Sequence, residues 1–441
     1  MKIIDEILNI FQPAKYKPKI EDTELVKKQY KYWRIRIIYS LYIGYVFFYF
    51  SRKSFTFLMP NIKSDLGLTN AELGFLGSIL YITYGISKFF SGILADKSSP
   101  RTFMSIGLIF TGVCNILFGM SSSLIFLAFF WGLNGIFQGW GWPPTTKQLT
   151  HWYSKSERGM WWSFCSTSHN LGGALIPILS VYCVYYYDWR LSIFCSGILC
   201  ILIGIWLFER LRDAPQSLGL PAIEIFRNDP EIKESSNRIK DFSIIQIIIE
   251  VIHNKYIWIF AFSYFFLYIT RTAINDWSLI YLMEEKGYSQ LLASISLFFF
   301  EIGGLVGALF AGWSSDKIFK SNRIPYMLFC TFGLLFVIPF FYYLPYKFVL
   351  LDNLFMFLIG FFIFGPQMLV GLSAAEFVDK KAACTANGFA GTFAYIGAVI
   401  AGYPLGIIID IWSWYGFFVV IFTSSIMLTI ILLPIRFLKK N

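Results

Sequence analysis

Two arginines, Arg52 and Arg271, lie within apolar stretches that have the length of membrane spans. The uncharged runs before them, 37–50 and 256–270, are too short to cross a bilayer alone, because a spanning helix needs about 20 residues. Each helix must therefore continue through its arginine. A guanidinium at mid-membrane is energetically costly and normally faces a cavity or a partner.

The two arginines occupy matching places in an internal repeat. They are 271 − 52 = 219 residues apart, and two similar loop sequences that contain Asp96 and Asp316 are 316 − 96 = 220 residues apart. One shared anion would satisfy both side chains, and the planar, forked donors of a guanidinium match the oxygens of a phosphate dianion. The alternative is that each arginine pairs internally, Arg271 with Asp276 or Glu301, for example.

Tyrosines and one lysine stand at helical spacing beside the arginines, which places each set on one helix face. The three sets are Tyr45, Tyr49 and Arg52; Tyr84 and Lys88; and Tyr268 and Arg271. Tyrosine hydroxyls can donate to phosphate or sugar oxygens, although packing in the core or at the membrane interface is their other common use. His169 could hydrogen-bond a ligand, or be a satisfied core histidine beside the closely packing Gly172.

Composition indicates that these residues lie in a lipid environment. Of the 441 residues, 56% are hydrophobic and only 15% are charged, which is too apolar and too long for one soluble core. Charge-free runs of spanning length predict an all-α membrane protein with about twelve transmembrane helices in two bundles. These helices are expected at 34–60, 72–95, 102–120, 124–147, 159–183, 190–209, 255–283, 289–313, 324–345, 348–373, 382–408 and 412–435.

The longest polar stretch separates the two repeats and is predicted to be a linker. The expected order is an N-terminal tail 1–33, a six-helix bundle 34–208, the linker 209–254, a second six-helix bundle 255–435 and a tail 436–441. Parallel repeats of this kind are typical of the major facilitator fold, in which the substrate is held near mid-membrane.

The net charge of +10 arises mainly from loops on the side of the N-terminus. This bias predicts that both termini are cytoplasmic, and it does not indicate a nucleic-acid partner. The seven cysteines lack metal or redox spacing. Because no catalytic dyad or triad, Walker loop or metal-ligand cluster stands out, we expect neither an enzyme nor a cofactor or metal.

Four charged residues of the repeated loops are assigned to gating rather than to substrate contact. Asp96 and Asp316 can cap a helix N-terminus or pair with a nearby cation while the inner face is closed. The candidate cations are Arg101 and Arg323.

Six motifs together resemble the organophosphate:phosphate antiporter family, which includes bacterial glycerol-3-phosphate and hexose-phosphate transporters and the animal endoplasmic-reticulum glucose-6-phosphate transporter. The motifs are Tyr-Phe-Ser-Arg52-Lys-Ser-Phe with Met59-Pro60, Tyr84-Gly-Ile-Ser-Lys88, Gln138-Gly-Trp-Gly-Trp142-Pro143-Pro144, His169-Asn-Leu-Gly-Gly, Arg271 through Asp276-Trp277, and Gly365-Pro-Gln. The resemblance extends over nearly the whole chain and is strongest to the hexose-phosphate branch, including its receptor-like members.

The resemblance implies a phosphate site and a substrate pathway. Arg52 and Arg271 match the paired arginines that coordinate phosphate in the family, and we add Lys88 and His169 to this site. The residues assigned to the pathway are Tyr45, Tyr49, Tyr84, Trp142, Tyr268, Asn275, Glu301 and Tyr395.

The implied activity is import of a hexose phosphate, glucose 6-phosphate, in exchange for inorganic phosphate by alternating access. The expected setting is the lipid bilayer of a bacterial inner membrane, with a monomeric protein. One alternative is a receptor that senses external glucose 6-phosphate for a sensor kinase. Another is a proton-driven symporter, which would need a titrating carboxylate such as Glu301.

Overall fold

The computed structural model describes residues 11–228, 249, 251–319, 322–345, 348–378 and 383–434, and these residues form helices and no strands. In the first half the helices are α1 Thr23–Leu66, α2 Asn70–Lys97, α3 Pro100–Gly119, α4 Leu124–Gln138, α5 Trp142–Trp152, α6 Lys155–Ser166, α7 Ser168–Tyr186, α8 Trp189–Arg210 and α9 Ile223–Arg227, with a short 3-10 helix at Pro215–Leu218. In the second half they are α10 Lys255–Glu284, α11 Gln290–Lys317, α12 Ile324–Tyr343, α13 Val349–Glu376, α14 Ala383–Ile400 and α15 Tyr403–Leu432.

The helices have the apolar character of a membrane protein. Within the described residues, eight helical segments are long and apolar enough to cross a bilayer, with mean hydropathies from 1.3 to 2.5. The helices that carry Arg52 and Lys88 are not among these eight, and each has a charged residue in its central part. The expected all-α membrane protein is confirmed.

The chain separates into two compact units. Unit 1 contains Met1–Phe55 and Thr83–Lys240, and unit 2 contains Thr56–Ile82 and Asp241–Asn441. Because the divisions fall within α1 and α2, each of these helices contributes one end to each unit.

Unit 1 is built on a large apolar core shared by α1, α3, α5 and α8. Leu41 and Phe48 of α1 are fully buried there with Met104 of α3, Trp152 of α5 and Leu207 of α8. The core therefore holds the middle of α1 firmly, only a few residues before Arg52.

In unit 2, α11 and α13 touch backbone to backbone at glycines. A Cβ added to Gly303 would lie 1.9 Å from the Phe357 carbonyl oxygen, and one added to Gly360 would lie 2.1 Å from that of Phe300. Small residues permit such close approach in membranes, where packing rather than hydrophobic burial drives helix association.

Two predicted single helices are each divided in two. The predicted helix 124–147 is broken at Gly139–Gly141 into α4 and α5, because Pro143 and Pro144 lack backbone N–H donors and suit the first turn of a new helix. The predicted helix 159–183 is divided at Thr167 into α6 and α7. The charge-free runs could not reveal either break, since no charged residue lies at Gly139–Gly141 or at Thr167.

Other boundaries also differ from the sequence expectation. Helix α1 begins at Thr23, within the predicted tail 1–33. The predicted linker contains the 3-10 helix and α9, whereas residues 229–248 and 250 lie outside the described residues.

Candidate functional site

Arg52 projects from the middle of α1 and is only 8% exposed. Its guanidinium carbon lies 4.6 Å from the ring centre of Tyr49 and 4.1 Å from that of Tyr84. Its Nη2 atom also donates to the side-chain oxygen of Gln138, at 3.2 Å. Ring contacts engage the face of a guanidinium, whereas hydrogen bonds to an oxyanion run in its plane.

Gln138 holds Arg52 in this orientation. It is 1% exposed, and its side-chain nitrogen donates to the Phe48 carbonyl oxygen at 3.0 Å and to the Ser51 hydroxyl at 2.9 Å. Two donated bonds to α1 leave the amide oxygen directed at the arginine. The sequence prediction included Gln138 in a motif but assigned it no role; a polar amide in the apolar run of α4 was the available signal.

The other predicted residues of the first half are connected to Arg52 through the rings of Tyr49 and Tyr84. The Lys88 Nζ atom lies 5.9 Å from the ring centre of Tyr84, and the His169 ring lies 5.3 Å from that of Tyr49. The Tyr45 ring lies 5.6 Å from Tyr49 and 4.9 Å from Trp142. We call Arg52, Gln138 and the residues assigned here the Arg52 cluster; its members are Tyr45, Tyr49, Arg52, Tyr84, Lys88, Gln138, Trp142 and His169.

Close packing of α7 on α1 positions His169. A Cβ added to Gly172 would lie 2.4 Å from the Val46 carbonyl oxygen, so only glycine allows the two helices to approach this closely. His169 lies one turn before Gly172 and contacts the Ser166 carbonyl oxygen through Nδ1. The close approach expected at Gly172 is therefore present, and it brings the histidine ring against Tyr49.

Unit 2 contains a second arginine among aromatic rings. The Arg271 guanidinium carbon lies 5.2 Å from the ring centre of Tyr268 and 4.9 Å from that of Phe364. Tyr268 in turn lies 6.2 Å from Tyr395 and 5.7 Å from Tyr264. We call these five residues the Arg271 cluster. Phe364 and Tyr264 were not predicted, because aromatic residues in an aromatic-rich apolar run give no distinguishing signal.

The remaining pathway candidates of unit 2 include an amide and a carboxylate. Asn275 donates to the Asp276 carboxylate at 2.7 Å, and the same carboxylate accepts from the hydroxyls of Tyr81 at 2.7 Å and Thr56 at 3.3 Å. Glu301, on α11, is only 8% exposed. Asn275 therefore donates to the Asp276 carboxylate, which also accepts hydrogen bonds from two neutral hydroxyls.

The model of the Major Facilitator Superfamily matches residues 41–402, a range that includes both arginine clusters. The chain is 53% identical over 438 residues to a probable hexose phosphate transport protein of Chlamydia trachomatis, with 96% of each chain covered. It is also 44% identical over 418 residues to the membrane sensor protein UhpC of Escherichia coli, with 95% of each covered. The chain belongs to the organophosphate:phosphate antiporter family of this superfamily.

The fold agrees with that membership. A bacterial homologue of the human lysosomal transporter Spinster superimposes with a TM-score of 0.73 at 14% sequence identity, covering 91% of this chain and 95% of the other. At this identity the likeness concerns the fold alone. The expected major facilitator fold is confirmed, and the chain is a member of a transporter family rather than of an enzyme family.

The four residues assigned to gating lie at the connection of α2 to α3 and at the connection of α11 to α12. Arg101 donates through Nε to the Phe208 carbonyl oxygen. Arg323 donates to the Ser315 hydroxyl at 2.7 Å and pairs with Glu376 at 3.2 Å. The side chains of Asp96 and Asp316 lie outside the described part of the structure. The gating role of all four residues stays a prediction.

Proposed function

We propose that this protein imports a hexose phosphate, most specifically glucose 6-phosphate, in exchange for inorganic phosphate. The observation that carries the proposal is one ring-stacked arginine in each unit, Arg52 and Arg271. The match to a probable hexose phosphate transport protein over 96% of the chain supports a sugar ester as the other part of the substrate.

In this proposal Arg52 and Arg271 bind the phosphate oxygens, and Lys88 and His169 add donors beside Arg52. The tyrosines and Trp142, with Asn275 and Glu301, line the route of the sugar. Hydroxyl and amide groups suit sugar hydroxyls, and aromatic faces suit the apolar faces of a sugar ring. The ring contacts hold the guanidiniums through neutral groups, which carry no net charge that would compete with the dianion.

The transport cycle would be alternating access between the predicted bundles 34–208 and 255–435, which the linker 209–254 joins. Closing an empty site would bring two cations together in a low dielectric, whereas a bound dianion offsets both charges. The anion therefore permits the transition, and inorganic phosphate makes the return step. The gating residues would stabilise the closed inner face. We further propose a monomer in a bacterial inner membrane with both termini cytoplasmic.

A receptor for external glucose 6-phosphate is the second candidate, favoured by the 44% identity to a membrane sensor protein. A receptor would keep the same pocket and would signal to a sensor kinase through its loops. Flux separates the two functions: a transporter loaded with phosphate accumulates labelled glucose 6-phosphate, whereas a receptor only binds it.

The test uses purified protein in phosphate-loaded proteoliposomes. Arg52→Lys and Arg271→Lys keep the positive charge but lose the planar, forked N–H donors of the guanidinium. Each variant should therefore abolish exchange of labelled glucose 6-phosphate while the protein still inserts into the membrane. Arg210→Lys is the matched control, because Arg210 is partly exposed and pairs with Glu209 near the end of α8. Wild-type exchange in both site variants would refute the site, and binding without flux in the wild type would favour the receptor.

A further inference from the structure

The break between α4 and α5 leaves backbone carbonyl oxygens without their usual helical donors. In a continuous helix the Gly139 oxygen would accept from the backbone N–H four residues later, but that residue is Pro143, which has no N–H. In the last turn of α4, the Ile136 oxygen receives the Gly139 N–H, which neighbouring carbonyls share. Gly139 is buried, and a backbone oxygen away from water needs another donor.

Two serines of α2 supply donors to these oxygens. The Ser91 hydroxyl donates to the Gly139 oxygen at 2.8 Å, and the Ser87 hydroxyl donates to the Ile136 oxygen at 2.5 Å. Ser91 also lies 3.2 Å from the Lys88 carbonyl oxygen of its own helix, a longer and weaker alternative for the same proton. The serines are 1% and 7% exposed. Because an unsatisfied buried carbonyl is costly, their bonds anchor the end of α4 to α2.

The anchored helices approach each other closely at Gly139. A Cβ added there would lie 2.5 Å from the Ser87 hydroxyl oxygen and 3.0 Å from the Lys88 backbone nitrogen. Any side chain at this position would push the end of α4 away from α2, so the contact requires glycine. The break therefore touches α2 at Lys88, a member of the Arg52 cluster.

The anchoring face of α2 is also the face that contacts Arg52. This face consists of Tyr84, Ser87, Lys88 and Ser91, at the spacing i, i+3, i+4 and i+7. The Tyr84 ring centre lies 4.1 Å from the Arg52 guanidinium carbon. The serines therefore fix the end of α4 relative to a ring that stacks on the arginine.

The end of α4 carries the other neutral partner of Arg52. Gln138 is the last residue of α4, and its side-chain oxygen accepts from Arg52 at 3.2 Å. It lies between Ile136 and Gly139, the two residues whose oxygens accept from the serines. A movement of this end away from α2 would shift Gln138 relative to Tyr84. The serine bonds thus connect the two elements that orient the arginine.

Aromatic packing on α3 holds the break from another direction. The Trp140 ring stacks on Phe103 of α3, with ring centres 4.4 Å apart and an interplanar angle of 14°. A Cβ added to Gly107 of α3 would lie 2.7 Å from the Trp140 Cβ. Because these contacts do not depend on the serines, loss of the serine bonds should loosen the break without unfolding unit 1.

We propose that Ser87 and Ser91 are positioning residues for the phosphate site, which hold the end of α4 against α2 so that Gln138 orients Arg52. Each hydroxyl has one proton, and a backbone oxygen accepts it, so the serines act through Gln138 rather than on the substrate. The inference rests on the proposed exchange of glucose 6-phosphate for phosphate.

The test measures initial rates of labelled glucose 6-phosphate uptake into phosphate-loaded proteoliposomes. Ser87→Ala/Ser91→Ala should lower kcat/KM about 10-fold, because the two oxygens lose their donors and the anchored position of α4 is disfavoured. In a Gln138→Leu background the same double change should cost less than about twofold, since the acceptor that the serines position is already gone. A purely structural role would give the full loss in both backgrounds.

Ser192→Ala is the matched control. Ser192 is fully buried in unit 1 and donates to the Ser180 hydroxyl at 3.2 Å, between α8 and α7. This variant should lower Tm and leave kcat/KM unchanged. The inference is overturned if Ser87→Ala/Ser91→Ala has the wild-type kcat/KM, or if its full loss persists beside Gln138→Leu. If the wild type binds glucose 6-phosphate without flux, the same comparisons apply to Kd.

A second measurement separates this inference from the proposed function. Hydrogen–deuterium exchange of the backbone amides at 139–141 should be about 10-fold faster in Ser87→Ala/Ser91→Ala than in the wild type, and unchanged in Ser192→Ala. Unchanged exchange in the double variant would contradict the anchor, whatever the substrate. A wild type that neither binds nor exchanges glucose 6-phosphate or phosphate would instead refute the proposed function, and with it the role of the serines at a phosphate site.

Discussion

The amide of Gln138 offers the sharpest test of how Arg52 works. Its side-chain oxygen accepts from Arg52 at 3.2 Å, and its nitrogen is held by two bonds to α1. Gln138→Leu keeps a similar volume but removes the acceptor. A hydrogen bond to a charged group contributes about 1.5–3 kcal/mol, so the variant should lower kcat/KM for glucose 6-phosphate about 10- to 100-fold.

Gln138→Glu separates orientation from charge. The carboxylate keeps the acceptor that orients Arg52, but it also offsets the positive charge that the phosphate needs. At a separation of about 4 Å and an effective dielectric constant of about 20, this interaction is about 4 kcal/mol. Exchange should therefore fall about 1,000-fold, which is a larger loss than in the leucine variant.

The assay is the initial rate of labelled glucose 6-phosphate uptake into phosphate-loaded proteoliposomes over a range of concentrations. Asn134→Leu is the control, because Asn134 is a buried amide one turn earlier on α4 that bonds to Asn115 at 2.6 Å. It should lower the thermal stability and leave KM unchanged. A wild-type kcat/KM in Gln138→Glu would refute the view that the positive charge of Arg52 binds the substrate.

Three further outcomes are expected. Gly172→Ala should lower Tm, because the added Cβ would lie 2.4 Å from a backbone oxygen of α1. Gly77→Ala is the control and should leave Tm unchanged, because the space around Gly77 is open. Equal Tm values for the two variants would contradict the close packing of α7 on α1. Exchange by the wild type and by Glu301→Gln should be unaffected by a protonophore, and a protonophore-sensitive wild type with an insensitive variant would instead indicate proton coupling through Glu301. Burial raises the pKa of Glu157, but Arg34 and Arg227 lower it more, so that this pKa lies below the ordinary 4.5. The ionised carboxylate therefore contributes stability above pH 4.5, and this contribution is lost as the pH falls through the folded-state pKa. Glu157→Gln should therefore lower Tm at pH 7, and the difference from wild type should shrink as the pH falls below 4.5. A difference that stays constant as the pH falls would contradict the pairing of Glu157 with Arg34 and Arg227.

The sequence was informative where an unusual residue type stood out against its surroundings. Arg52 and Arg271 were visible because charge is rare in spans, and helical spacing correctly associated Tyr49 with Arg52. Gln138 and Phe364 escaped assignment for different reasons: Gln138 is far from Arg52 along the chain, and Phe364 has the same apolar character as its neighbours. Contacts between distant helices depend on packing, which periodicity within one helix does not encode.

Helix breaks were missed for a related reason. The interruption at Gly139–Gly141 falls within a run without charged residues, so the region was predicted as one span. The break nevertheless shapes the Arg52 cluster: Gln138 ends α4 and contacts Arg52, and Trp142 begins α5 and contacts Tyr45. In a continuous helix the side chains of Gln138 and Trp142 would lie about 40° apart around the helix axis, because four residues turn the chain by about 400°. The turn between α4 and α5 removes this restriction on their directions.

A binding site for a dianion must hold its cations firmly and still leave them attractive to the ligand. A carboxylate partner would meet the first need and defeat the second, because the ligand would have to displace it. Tyr49, Tyr84 and Gln138 meet both, since rings and an amide stabilise a guanidinium through quadrupole and dipole interactions and carry no net charge. Arg271 has the same kind of support from Tyr268 and Phe364. We therefore propose that these neutral contacts help to position each arginine to receive and release a phosphate.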